Sequence, residues 1–488
     1  MSSPSVDSPP PPDLERQELA AVLPRSDESP RDDELASSAE ANFSETYAEA
    51  RQKFLEAAEG AKASFGGALE SRPLAGFEGP DGEELALDFC ILRRSETAPC
   101  ERLYLLTAGI HGVEGFLGSA IQIDLLKTLA TKPAEELLPD GCWVILCHVV
   151  NPFGMAWYRR WNEGNVDLNR NWLPDGLQDR GMPQTYEERT AAGAPAGYRN
   201  LYGILNPKRR LRCCDCFYLK AARALCCAAG CCRCCKAHGE IKQAVAGGQP
   251  EFPEGVFYSG QEQERTTRIV LDFLEEQGIS KRLVTTRLRR VIHNDLHTGL
   301  GPHGHDTVLV PNEPTKETVS QLLGGAEVRV GGCCCAHHQL GGDGWSIENF
   351  GPDGENQEDG EARGTSYVTS GSMLDGLKEQ LAPKGCSWTG LNQEFGTAGN
   401  ITAIKVLRAE NALHQVDKKA PITERERVDC KEFFCPSSSA WREKCMARGT
   451  EVSLLLMRQA FERRPRPQPE PEPQPEAEQE TDHLINRT

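Results

Sequence analysis

The chain has 488 residues, enough for two or three domains, with 54 Lys and Arg against 72 Asp and Glu and a net charge of −18. That balance excludes a nucleic-acid binder that relies on general positive charge, and no apolar run approaches the roughly 18 residues of a membrane-spanning helix. The segment 1–12 lacks the basic-then-apolar pattern of a secretory signal, so the cytoplasm is the default location and the 20 cysteines are expected as reduced thiols.

Residues 1–40, acidic and proline-rich, and the Pro/Glu/Gln segment 463–488 are expected to stay unfolded, because neither can bury enough apolar surface to offset chain entropy. Between them, 41–462 is expected to form one large domain. It opens with a helix: Phe43, Tyr47, Ala50, Phe54 and Ala58 recur at helical spacing, and Ser44 is the expected cap. Strands follow at 85–92, 103–108 and 143–150, with a helix at 117–129 between the last two. A helix near 262–277, a strand near 288–296, another at 308–310 and a helix near 401–414 continue the alternation. The expected class is α/β, a mixed and mostly parallel sheet with helices on both faces. Two stretches read as insertions: 208–238, with nine cysteines, and the Gly-rich, acidic 324–365.

Four segments carry chemistry. In 107–115, TAGIHGVEG, His111 and Glu114 stand three apart just after a strand, where one turn aims an imidazole and a carboxylate at one point. Alone the pair is weak; the surrounding glycines strengthen it by letting the backbone turn sharply. In 151–172, NPFGMAWYRRWNEGNVDLNRNW, the side chains Arg159, Arg160, Asp167, Asn169 and Arg170 share one loop. Arginine pairs bidentately with carboxylates, and four interleaved aromatic residues suggest packing rather than a solvated charge cluster. In 290–304, RVIHNDLHTGLGPHG, a strand ends at His297, the best ligand candidate, whereas His293 reads as a core residue. In 391–400, LNQEFGTAGN, Glu394 sits in a short strand and by itself reads as structural.

Taken together, in this order, these segments resemble the zinc carboxypeptidase superfamily, which includes the pancreatic-type carboxypeptidases and the succinylglutamate desuccinylase and aspartoacylase enzymes. The wording of NFSETYAEARQKF, GIHGVEGFLGSAIQ, NVDLNRNW, DLHTGLGPHG and EFGT is most similar to its functionally uncharacterised bacterial-type metallopeptidase branch. The resemblance implies a zinc-carboxypeptidase-like fold and one catalytic zinc ion held by His111, Glu114 and His297. It implies that Asp167 orients the first histidine, Glu394 is the general base that takes a proton from the activated water, and Arg160 stabilises the oxyanion, with Arg159 as competitor. Asn169 and Arg170 match the pair that grips a substrate carboxylate, and Tyr367 is the candidate capping tyrosine. The histidine motif continues into Thr298-Gly299 where digestive carboxypeptidases have Ser, and 173–255 is inserted relative to smaller members.

The implied activity is hydrolysis of an amide bond next to a free carboxylate in a small peptide. An N-acyl-amino-acid amidohydrolase of the desuccinylase or aspartoacylase kind is the alternative. A non-catalytic Cys-rich protein, metal-binding or tethered to a membrane by acylation beside Lys208, Arg209, Arg210 and Arg212, is the alternative from another class. The cysteines at 213–235 and 333–335 fit no regular zinc spacing and read first as small buried hydrophobes.

Overall fold

The computed structural model describes residues 39–173, 185–211, 243, 245–283, 286–323, 345–349 and 369–462. Residues 1–38 and 463–488, all nine cysteines of the first insertion, Cys333–Cys335 and Tyr367 lie outside the described residues.

Eight strands form one sheet: β1 (Gly67–Glu78), β2 (Glu84–Leu92), β3 (Arg102–Ala108), β4 (Cys142–Cys147), β5 (Arg290–Leu300), β6 (Asp306–Val310), β7 (Trp345–Asn349) and β8 (Ser387–Ala398), in the order β1-β2-β4-β3-β5-β8-β6-β7. The pairs β3–β4, β3–β5, β5–β8 and β6–β7 are parallel, whereas β1–β2, β2–β4 and β6–β8 are antiparallel. The sheet is therefore mixed and mostly parallel, as expected. The edge strand β7 comes from within the Gly-rich 324–365 stretch and pairs with β6.

Eight helices position the site: α1 (Tyr47–Phe65), α2 (Gly115–Ala130), α3 (Pro152–Ala156), α4 (Arg265–Glu276), α5 (Met373–Leu381), α6 (Asn400–Val416), α7 (Arg425–Phe434) and α8 (Ser439–Phe461). The central strands are apolar on both faces, and the period of two sorts their side chains. Tyr104, Leu106 and Ala108 of β3, with Val144 and Leu146 of β4, enter the core shared with α1, α2 and α8. Leu103 and Leu105, with Trp143 and Ile145, enter the opposite core with α4 and α5, where Phe89 stacks on Phe273 at 3.7 Å.

Helix α1 begins later than the sequence suggested. Its cap is Thr46, whose side chain accepts from the Glu49 N–H, and not Ser44, which precedes the first helical residue by three positions. Tyr47, Ala50, Phe54, Ala57, Ala58, Ala61 and Phe65 then form its buried stripe. None of the eight cysteines within the described residues forms a disulfide.

Candidate metal centre

Parallel strands deliver their carboxyl ends to one edge of the sheet, where ligands collect in open α/β folds. After β3 the chain turns at Gly109, whose φ of 64° favours glycine, and enters the His111–Glu114 turn. Gly112 lies against the backbone of Gly154: a Cβ there would come within 2.2 Å of a carbonyl carbon. The His-x-x-Glu turn and the Asn-Pro-x-Gly turn can thus pack together only because residue 112 is glycine. Asn151 caps α3 through the Gly154 N–H at 2.8 Å and donates to the Arg160 carbonyl at 3.2 Å. The Gly112 and Val113 N–H groups donate to the carbonyls of Arg160 and Arg159. One motif holds the other.

His111, Glu114 and His297 are all buried, and they offer ligand atoms that lie within 4.8 Å of one another. Nδ1 of His111 is 3.1 Å from Glu114 Oε1, and Nδ1 of His297 is 3.3 Å from Oε2. The two rings meet edge to face at 5.1 Å. On the far side of each ring stands an aspartate: Asp167 Oδ1 at 3.2 Å from His111 Nε2, and Asp295 Oδ2 at 2.6 Å from His297 Nε2. Thr107 fixes Asp295 with a 2.7 Å hydrogen bond. Glu114 Oε2 also accepts from the Thr298 N–H at 3.1 Å, so the Thr298-Gly299 departure contributes backbone to the site.

Arg160 closes this group, with Nε 3.1 Å from Asp167, Nη1 3.3 Å from Glu114 and Nη2 2.7 Å from His111 Nε2. Nε2 of His111 thus has an acceptor and a donor against it, and its tautomer decides which bond forms. Arg159 points elsewhere: it is fully buried with Nε 2.7 Å from Glu410.

Glu394 sits directly across from His297 in the β5–β8 register, on the same face of the sheet, with Oε1 accepting from the Leu300 N–H at 3.0 Å. His297 is not at its strand end, since both β5 and β8 run past the pair. Asn169 and Arg170 are buried in the neighbouring turn. Asn169 Oδ1 accepts from the Met373 N–H at 2.9 Å, and the Arg170 fork rests on the Ala246 carbonyl at 3.1 and 2.9 Å.

The electrostatics follow from this packing. Burial alone would protonate Glu114, but the two imidazoles outweigh it and hold the carboxylate well below its usual range. Burial is likewise overcome at Asp167 by Arg160, Arg170 and His111, and at Asp295 by His297, so both stay ionised. His297 is raised well above its ordinary value, because Asp295 and Glu114 outweigh the burial that lowers it. Glu394 is pushed up to about 7 by burial and then by the charge of Glu114.

The family model described as "Protein of unknown function (DUF2817)" matches residues 43–328 and 344–448. The chain belongs to that family. No curated protein matches this DUF2817 member. Similar solved structures include a carboxypeptidase A from Helicoverpa armigera, at 13% identity over 84% of this chain and 82% of that one, with a TM-score of 0.37. Thrombin activatable fibrinolysis inhibitor is similar at 13% identity over 83% and 80%, with a TM-score of 0.39. A metallo-carboxypeptidase from Pseudomonas aeruginosa is similar at 14% identity over 75% and 67%, with a TM-score of 0.32. Likeness at this level says nothing of activity.

Two contributors to the DUF2817 site were given no role from the sequence. Asp295 and Thr107 brace His297 as Asp167 braces His111. The available signal was the strand period of two, which puts His293, Asp295 and His297 on one face of β5.

Proposed function

We propose that this chain is a zinc-dependent hydrolase that cleaves an amide bond next to a free carboxylate. His111 Nδ1, the Glu114 carboxylate and His297 Nδ1 would hold one ion. The observation that carries the reading is the buried Nδ1–carboxylate–Nδ1 set within 4.8 Å, each imidazole backed by an aspartate. The donor set fits the metal: Nδ1 of His111 is buried with no hydrogen-bond partner, and two imidazoles with one carboxylate leave a catalytic zinc an open position. A bound zinc would polarise a carbonyl and acidify water toward a pKa of about 7.

The chain's own side chains do the rest. Glu394, held near neutrality by burial and Glu114, accepts a proton from water and returns it to the departing amine. The Leu300 N–H occupies Oε1, which leaves Oε2 to carry that proton. Arg160 faces the group with fixed guanidinium donors that favour negative charge developing on the carbonyl oxygen. Asn169 and Arg170 select the free carboxylate: an anion is a stronger partner for the Arg170 fork than the neutral Ala246 carbonyl it now holds. Tyr367 is the proposed cap on the bound substrate.

The substrate class is a small peptide or an N-acyl amino acid, with carboxypeptidase action the first choice. No helix among the described residues is long and apolar enough to cross a membrane, and the proposed location is the cytoplasm. Assaying a panel of peptides against N-acyl amino acids, with and without a chelator, tests the reading. Chelator-sensitive release of a C-terminal residue supports carboxypeptidase action, and release of only the acyl group supports the amidohydrolase. Hydrolysis of neither would favour a non-catalytic metal-binding protein.

A further inference from the structure

Directly behind the His111–Glu114 turn lies a second buried cluster with no part in the proposed hydrolysis. Arg159, Glu410 and Arg427 are each 0% exposed and His414 is 2% exposed. Arg159 Nε is 2.7 Å and Arg427 Nη1 3.8 Å from the same oxygen, Glu410 Oε1. Arg159 Nη2 donates to Asn165 at 2.8 Å and Arg427 Nη1 to the Trp157 carbonyl. Arg159 Nη1, Arg427 Nε and Nη2, and His414 Nδ1 are buried without a hydrogen-bond partner, as is Glu410 Oε2.

The buried charges do not cancel. Two buried guanidiniums face one buried carboxylate, and Asp417, which also acts on Arg427, is exposed to solvent. His414 adds no charge, because burial and both arginines push it far below its ordinary value. Cys430, one turn beyond Arg427, is kept a neutral thiol by burial. Glu114, which acts on Cys430, is already engaged by two imidazoles and Arg160. One positive charge is left in a place that water does not reach from outside. Buried charges are ordinarily paired, and buried N–H groups are ordinarily bonded.

We propose that Arg159, Arg427 and His414 enclose a binding site for one small monovalent anion of the halide class. One such anion would neutralise the excess and meet the donors that have no partner, with charge-assisted hydrogen bonds from the guanidiniums. Full enclosure selects a small ion over an organic acid, and a single excess charge selects a monovalent one over phosphate. The Arg159 carbonyl accepts the Val113 N–H at 2.8 Å, so the anion would sit one residue from the turn that carries His111 and Glu114. The proposal does not depend on hydrolysis or on zinc.

The test is thermal unfolding of the full chain, dialysed into gluconate and titrated with chloride or bromide at constant ionic strength. A saturable rise in Tm of about 2–5 °C is expected at halide a hundredfold above its Kd. Bromide-soaked crystals should show one anomalous peak between the two guanidiniums. Superimposable melting curves in halide and gluconate would overturn the site, as would a crystal with only water there. Arg427→Met should abolish the halide-dependent rise, and a rise of undiminished size in that variant would also overturn it. If the variant does not fold, the titration of the unaltered chain decides alone.

Discussion

Four buried histidines flank the central strands, and they fall into two pairs. His111 and His297 each present one ring nitrogen to an aspartate, at 3.2 and 2.6 Å. His148 and His293 instead present Nε2 to a hydroxyl, Ser119 or Thr107, each at 2.9 Å. Burial takes both members of the second pair down to about 4, so they stay neutral at physiological pH. At His297 the aspartate reverses that effect. Burial is common to both pairs, and the partner on the far nitrogen is what sets the proposed ligands apart, since an aspartate there orients the ring. Thr107 serves both pairs at once, bonding His293 on one side and Asp295 on the other.

The largest effect expected is on turnover. Glu394→Gln should lower kcat by about 10²- to 10⁴-fold while the bound metal remains, measured by steady-state assay beside metal analysis. Equal activity would remove Glu394 from the chemistry.

Acid should next expose the hydroxyl-bonded pair. The folded-state values near 4 lie below the ordinary 6.5, so between those limits the unfolded chain binds protons that the folded chain does not. Stability is then unaffected above pH 6.5 and falls as the pH drops toward 4, by roughly 3 kcal/mol per histidine. Urea unfolding at pH 7 and pH 4.5 measures the loss, and His148→Gln should reduce its slope.

A smaller effect separates the pairs by metal affinity. Asp295→Asn and Asp167→Asn should each weaken binding by about 10- to 100-fold in a competition titration with a chromogenic chelator. The smallest effect belongs to Ser119→Ala. It leaves His148 Nε2 without its hydroxyl, costs about 1–3 kcal/mol and should not change metal affinity. A metal defect in Ser119→Ala would erase the distinction between the pairs.

What the sequence made legible was local. The His-x-x-Glu turn, the Val-Asp-x-Asn-Arg-Asn turn and the apolar runs of β3 and β4 each declare themselves within a dozen residues, because the chemistry and the periodicity are short-range. Contacts across the chain were not legible. Arg159 and Arg160 are adjacent and identical in type, and the choice between them rests on Glu410, 251 residues away from Arg159. Strand β1 escaped notice because Pro73 and Gly76 interrupt it and most of its residues are only partly buried or exposed. Strand β7 lies in a Gly-rich stretch and gains its conformation from pairing with β6. Helices α7 and α8 went unread because buried Arg427, Lys431 and Arg442 break up the apolar stripe that would mark a helix.

The most direct test of the metal reading is the zinc content of the purified chain by mass spectrometry, beside His111→Ala, His297→Ala and His293→Ala. One zinc per chain in the unaltered protein and in His293→Ala, and none in the other two, is the predicted result. A stoichiometric ion retained in both His111→Ala and His297→Ala, or no stoichiometric ion in any of the four, would contradict it.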